Sequence, residues 1–356
     1  MRYLIRMGVL AGAAAFALAF AGGALAALNP KFIVVSPPST GAGTTSITAS
    51  VQQTDDPVAK VTIYAPLGYQ LNSPDAGQKI GDVKATALAA DLGGAVLPLK
   101  GQIMATSPTD PVVSQASTSC DNVGHAAVWV MQLAAAGQQL NIPIFIDQAA
   151  GAESKLAAYK LVICLPPPDV PAGTPGRAQF GASLLSASFD MNAFANPVAT
   201  GEYRWRSVWT PYTPKTGQVN AAGTVESQAV VRLPTSVTLN VHKQRLLVHG
   251  KRQTLVSITG KLTEAGQAIP AELVSVQSGK AKTKLYRLKA VMTKTDGSYV
   301  KKIRITKPIW VMTEVTLPIR VTGSAKCTAS FGPAVKCVSS FVGGVHVLSR
   351  LVKVTP

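Results

Sequence analysis

The chain has 356 residues, of which 47% are hydrophobic and 14% charged, and a formal net charge of +17. That length and apolar share exclude a disordered tail or a small disulfide-stapled scaffold and predict two domains, each with its own core. The charge is uneven: residues 1–230 carry 13 basic and 13 acidic side chains, whereas residues 231–356 carry 21 and 4, a shift that sets the boundary between domains 27–231 and 232–356.

Residues 1–26 read as a cleavable secretory signal peptide. Arg2 and Arg6 form the basic start, Met7 to Ala21 are uncharged and apolar, and Ala24-Leu25-Ala26 supplies the small residues a signal peptidase needs. The competing reading, an uncleaved anchor, is opposed by the Gly22-Gly23 break and the shortness of the apolar run. No later stretch is long and apolar enough for a second span, since Ala126 to Ala136 is short and carries Gln132. The expectation is a secreted, extracytoplasmic protein with no transmembrane span after cleavage. In such a compartment four cysteines, Cys120, Cys164, Cys327 and Cys337, suggest disulfides, one pair per half, although four cysteines allow three pairings.

Residues 27–231 show short β-branched and aromatic runs bounded by Gly, Pro, Asn and Asp, the pattern of strands. They are Ala59 to Ala65, Ala126 to Leu133, Ile142 to Ile146, Tyr159 to Leu165 and Thr224 to Val231. Ser36 to Gly43 is a turn or connection, and Ser154 to Tyr159 and parts of Ala85 to Leu92 suggest short helices. Residues 232–356 alternate more cleanly, with about eight segments at the spacing of an antiparallel sandwich. Asp296-Gly297 marks a tight turn, and Cys327 and Cys337 bracket a late loop. The fold expectation is all-β: two antiparallel β-sandwich-like domains.

Within the second domain, Gly260-Lys261-Leu262 and Gly266, followed by Thr293-Lys294-Thr295-Asp296-Gly297-Ser298-Tyr299, resemble bacterial Ig-like or carboxypeptidase-regulatory-like extracellular modules. The resemblance covers about residues 236–322 and implies an Ig-like sandwich. Such modules serve adhesive, spacer and accessory roles, so it implies no activity. Tyr299 stands one residue early in the pattern, and Lys301 replaces an inward apolar residue.

Two surface readings follow. Lys280, Lys282 and Lys284 alternate, as do Lys302 and Arg304; joined across Asp296-Gly297 they would form a basic stripe that binds anionic cell-wall polymer or acidic polysaccharide, or else an ordinary solvated edge. Tyr203, Trp205, Trp209 and Tyr212 form an aromatic cluster in which an extended strand puts Tyr203, Trp205 and Trp209 on one face, a sugar-stacking platform when exposed and core when buried. No GxSxG or HExxH motif occurs, the histidines lack ligand spacing, and only His125 near Asp121 hints at a hydrolase. The chain therefore reads as a non-enzymatic envelope-associated binding or structural protein, without cofactor, metal or specific nucleic-acid partner. A carbohydrate-binding accessory protein is the alternative.

Overall fold

The computed structural model describes residues 28–356 except 40, 73, 114–119, 121–123, 136, 323–326 and 333. The leader and Asp121 thus lie outside the described residues. The protein is all-β. In chain order the strands are β1 (Lys31–Val35), β2 (Gly41–Ala42), β3 (Thr45–Ser50), β4 (Val58–Ala65), β5 (Gln70–Leu71), β6 (Lys79–Ala89), β7 (Ala95–Thr106), β8 (Ala127–Ala135), β9 (Gln138–Gln148) and β10 (Tyr159–Cys164). Then follow β11 (Ala182–Met191), β12 (Phe194–Asn196), β13 (Gly201–Pro211), β14 (Val225–Leu233), β15 (Thr235–Val237), β16 (Asn240–Val248), β17 (Lys251–Glu264), β18 (Gln267–Ala268) and β19 (Leu273–Ala281). The last are β20 (Lys284–Arg287), β21 (Val291–Met292), β22 (Ser298–Ile305), β23 (Ile309–Leu317), β24 (Arg320–Val321), β25 (Lys336–Val342), β26 (Val345–Leu348) and β27 (Val352–Val354).

Thirteen strands form one sheet in the order β1-β3-β11-β6-β7-β8-β9-β10-β4-β13-β14-β25-β24. Residues at alternate positions point to one face, and that face is apolar in strand after strand: Ile47 and Ala49, Val61 and Ile63, Trp129 and Met131, Ile144 and Ile146, Trp205 and Trp209. A sheet this wide hides an apolar face by curling on itself. Here β1 comes round to pack on β14 and β25, and Ser339 Oγ donates to the Pro30 carbonyl at 2.7 Å. The result is a barrel-like roll around one core.

Two disulfides lie on the outside of the roll. Cys120–Cys164, with Cα atoms 5.8 Å apart, flanks a small outer cluster of Val113, Val128, Val130, Phe145 and Val162. Cys327–Cys337, 5.7 Å apart, ties a loop whose Ser330 and Phe331 reach Glu226 and Tyr64 on the outer face. The pairing is therefore one bridge in each half of the chain.

Residues 235–317 and 345–354 build the second body, a sandwich. One sheet is β15-β17-β16 with β18 and β22 also on β17; the other is β20-β19-β23-β26 with β21 and β27 attached. Val256, Ile258 and Tyr299 from the first meet Val274, Val276, Val311 and Val315 from the second. The glycine and tyrosine of the sequence motif have a structural role here: Gly260 is paired with Tyr299, and a Cβ on Gly260 would stand 1.9 Å from the Thr238 carbonyl oxygen and 2.6 Å from the Tyr299 hydroxyl. The Tyr299 hydroxyl donates to that carbonyl. Lys301 lies on the same inward side of β22, and its ammonium reaches the Lys289 carbonyl at 3.0 Å, so its apolar stem packs while its charge escapes.

The structure departs from the sequence reading in three places. Ala85 to Ala89 continue β6 and only Ala90–Leu92 form a 3-10 turn, because strand pairing on both sides overrides the helix preference of alanine. The segment Glu153–Lys155 is likewise a single 3-10 turn before β10. Third, β24 and β25 leave the sandwich, since β25 pairs in parallel with β14 and β24 pairs with β25. The two bodies are accordingly joined at Pro234, between β23 and β24, and at Gly343-Gly344. Glu264 at the end of β17 is buried and accepts from Arg232 at 3.3 Å and Arg320 at 3.0 Å, an ion-pair clamp between the bodies.

Candidate functional site

The aromatic stripe belongs to the core. Trp205 and Trp209 are 0% and 1% exposed and Tyr212 is buried, while Tyr203 is half-buried. The expected common face is real, but it is the inner face of β13. Tyr69 meets Trp205 edge-on at 4.9 Å and Tyr203 at 5.9 Å, and Phe194 meets Trp205 at 5.4 Å, each such pair being worth about 0.5–1.5 kcal/mol beyond area burial. Trp209 Nε1 donates to Ser207 Oγ at 2.8 Å. No sugar can stack on rings so enclosed.

The lysines remain exposed but are arranged differently from the expected stripe. Lys280 lies on β19 and Lys284 opens β20, with Lys282-Thr283 forming the turn between them. A single alternating strand face is therefore absent. Lys302 and Arg304 share the outer face of β22 opposite Ser257 and Leu255 of β17, in the other sheet of the sandwich. Asp296-Gly297 does make a turn, with Gly297 N–H on the Lys294 carbonyl at 2.9 Å. Lys294 N–H bonds back to the Ser298 carbonyl at 2.8 Å, but β22 then pairs with β17 in the opposite sheet from β19 and β20, so the two basic sets lie on separate outer faces.

One of those faces holds a site the sequence reading overlooked. Inward Val311, Thr313, Val315 and Leu317 of β23 direct Trp310, Met312 and Glu314 outward. Gly279 and Lys353 are the partners of Trp310 on either side. The Lys282 ammonium stands 4.8 Å from the centre of the indole and that of Lys353 6.0 Å, within reach of a cation–π attraction. Gly279 accepts no side chain, because a Cβ there would lie 2.0 Å from the Lys284 carbonyl oxygen. Period-two alternation through β23 was the signal that could have identified an outward tryptophan.

Beside it, Glu314 receives Gln277 Nε2 at 2.6 Å and Arg287 Nη2 at 2.9 Å on one oxygen, and lies 2.8 Å from His346 Nε2 on the other. Hydrogen bonds from His346 and Arg287 hold its carboxyl down to about 2. A carboxyl whose pKa falls on folding stabilises fully above its unfolded value of 4.5 and loses that contribution as pH drops through about 2. Urea melts of the native protein and Glu314→Gln should therefore differ most near pH 5 and converge toward about pH 2. A difference that stays constant over that range would refute the coupling.

The acidic side chains of residues 231–356 do little to offset these cations. Glu264 is buried between Arg232 and Arg320, and Glu314 is engaged by Arg287 and His346, which leaves Glu272 and Asp296. Among the described residues Lys280, Lys282, Lys284, Lys302 and Arg304 form no ion pair. His125 is bonded to buried Asp147, Nδ1 to Oδ1 at 2.8 Å, and its ring lies 4.5 Å from Phe145. Its Nε2 meets no hydrogen-bond partner, so no described hydroxyl is placed to be activated by it.

These features define a disulfide-bonded, all-β protein in which a rolled sheet is joined to a basic sandwich. No protein-family model matches the chain, and none of the curated proteins compared with it does.

Proposed function

We propose that this is a non-enzymatic extracytoplasmic binding or structural protein, associated with a bacterial cell envelope, whose Ig-like basic sandwich attaches to anionic polymer. The observation that carries the reading is the pair of ammonium groups, Lys282 and Lys353, gathered about Trp310 on an outer face. A half-buried indole holding two cations presents charge at a fixed position, which suits repeating carboxylate or phosphate groups on a polymer chain better than a neutral glycan. The leader-like residues 1–26 and two disulfides support an oxidising, extracytoplasmic setting. Among the described residues no helix is long and apolar enough to cross a membrane.

Retention of the full chain on heparin or isolated cell envelope should fall steeply with salt. Lys280→Gln, Lys282→Gln and Lys284→Gln together should move elution to lower salt, the slope of log affinity against log salt dropping by roughly one for each cation that touches the polymer. Lys302→Gln with Arg304→Gln tests the opposite face in the same way. Unchanged retention in both variants would remove the polyanion role.

A further inference from the structure

A different part of the molecule, independent of the basic sandwich, contains an apolar cavity that opens at one end of the roll. This end is where β6 finishes, β7 begins, the β8–β9 hairpin turns, and β4 and β11 start. A cavity of about 100 Å³ lies there, walled by Ala87, Leu97, Leu99, Leu140 and Phe180 among others. A second of about 40 Å³ lies deeper, reaching Met131, Phe189 and Trp209, and its lining is wholly apolar. Ala85, Leu133, Ile142, Leu165 and Leu184 line both, so the two are successive chambers of one narrow passage from the barrel end to the core.

The passage is written into the strands. Ala49, Ala187 and Ala85 are direct partners across β3, β11 and β6, and three neighbouring strands that each place a methyl at one level leave the middle of the roll unfilled. Ala87 pairs with Leu184 and Leu97 at the next level. A void lined by such groups excludes water, which needs two or more polar partners, and admits apolar matter.

The entrance is also constructed. The short 3-10 turn Gln179–Gly181 lies over it, with Phe180 at φ 57° and Gly181 at φ 59°. A bulky residue in left-handed backbone is a strained arrangement, held only when its surroundings demand it. Here the surroundings are a clasp: Arg177 makes paired bonds to Asp91 at 2.6 and 2.8 Å and donates to the Val170 carbonyl at 2.7 Å. Across the opening Gln179 Nε2 donates to Gln138 Oε1 at 3.4 Å. The polar side chains that line the mouth are neutral, the amides of Gln138 and Gln179 and the hydroxyl of Ser183, while Arg177 and Asp91, outside the lining, are paired with each other.

The geometry points to a ligand site for the unbranched alkyl chain of an amphiphile, inserted past Phe180 toward Trp209, with its polar head left at the amides of the mouth. The narrow two-chamber shape favours a flexible chain over a fused ring system, and the uncharged rim requires no particular head group. A free fatty acid, a fatty alcohol or the acyl chain of a lipid therefore share the relevant chemistry.

The test uses the full disulfide-bonded protein in a Trp310→Phe background, so that the remaining tryptophans, Trp129, Trp205 and Trp209, are all buried. Dodecanoic acid brominated near its methyl end and the equally brominated dodecan-1-ol are titrated below their aggregation limits, with tryptophan quenching as the readout. Saturable quenching by both probes supports a chain-reading site; quenching by the acid alone would show that charge, not the passage, recruits it and would overturn the proposal. Ala85→Leu fills the neck between the chambers and should weaken binding at least about tenfold while the thermal transition is kept. If that variant does not fold, Ala87→Leu obstructs the outer chamber with the same expectation. No saturable quenching in the parent, or undiminished binding in the folded filled variant, would also overturn it.

Discussion

Glu226→Ala should lower the unfolding free energy by about 3–5 kcal/mol, the range expected when one partner of a buried charged network is removed. Glu226 projects from the outer face of β14 and is 0% exposed. Its carboxylate accepts from the Ser330 N–H at 2.7 Å, the Ser330 hydroxyl at 2.8 Å and the Gln228 amide at 2.7 Å. Arg206 approaches to 3.9 Å and also donates to Ser330 Oγ at 2.7 Å. The three short hydrogen bonds outweigh the long ion pair, because a bond to a charged acceptor contributes about 1.5–3 kcal/mol and the groups left behind are themselves out of water. Alanine would orphan Ser330 and leave Arg206, whose pKa burial already pushes down, without its nearby anion. Glu226→Gln keeps one accepting oxygen and should lose less. Urea unfolding measures both, and limited proteolysis of residues 327–337 should accelerate in the alanine variant, since the disulfide loop is held to the roll through Ser330. A loss under about 1 kcal/mol would show that the loop is secured by the disulfide and the Tyr64–Phe331 ring contact instead.

Alternation along individual strands was readable, and Val256, Ile258, Val274 and Val276, at alternate positions of two strands, meet in one core because side-chain period in a strand is fixed by covalent geometry. What alternation does not give is which side of a strand faces inward. Tyr203, Trp205 and Trp209 share a face in either arrangement, and only the strands beside β13 decide that it is the interior. Ala85 to Ala89 illustrate a second limit: alanine has no strand signature of its own, and here it is small because a passage runs past it. The turn at Lys282-Thr283 was hidden for a third reason, since no Gly, Pro, Asn or Asp stands at it and the register shift before Ala281 leaves no mark in the sequence. The least readable feature was the return of β24 and β25 to the roll. Parallel pairing of β14 with a strand about a hundred residues later leaves no local signal, whereas the charge shift near residue 231 is local and conspicuous.

That return makes the charge boundary a poor place to cut the protein. A fragment of residues 28–237, which ends just beyond the change in composition, should fail to give a cooperative thermal transition, although it contains all eleven strands of the large sheet other than β24 and β25. Three losses combine. The edge of β14 that bonds β25 is left as unpaired backbone, a surface prone to association with other chains. Glu226, Gln228 and Val230, now buried at 0%, 1% and 3% exposure, are uncovered or left unsatisfied on the outer face. β1 also loses β25 as a packing partner, including the bond from Ser339 to Pro30 and the close approach of Gly343 to the Val34 carbonyl, where a Cβ would stand 2.1 Å from the oxygen. Grafting residues 320–343 after residue 237 through a flexible linker restores all three and should recover a monomeric, cooperatively unfolding roll. Size-exclusion chromatography and a circular-dichroism melt distinguish the two. A monomeric 28–237 fragment that melts within a few degrees of the grafted one would mean that β25 rests on a finished barrel, and that the second body could be removed without cost to the first.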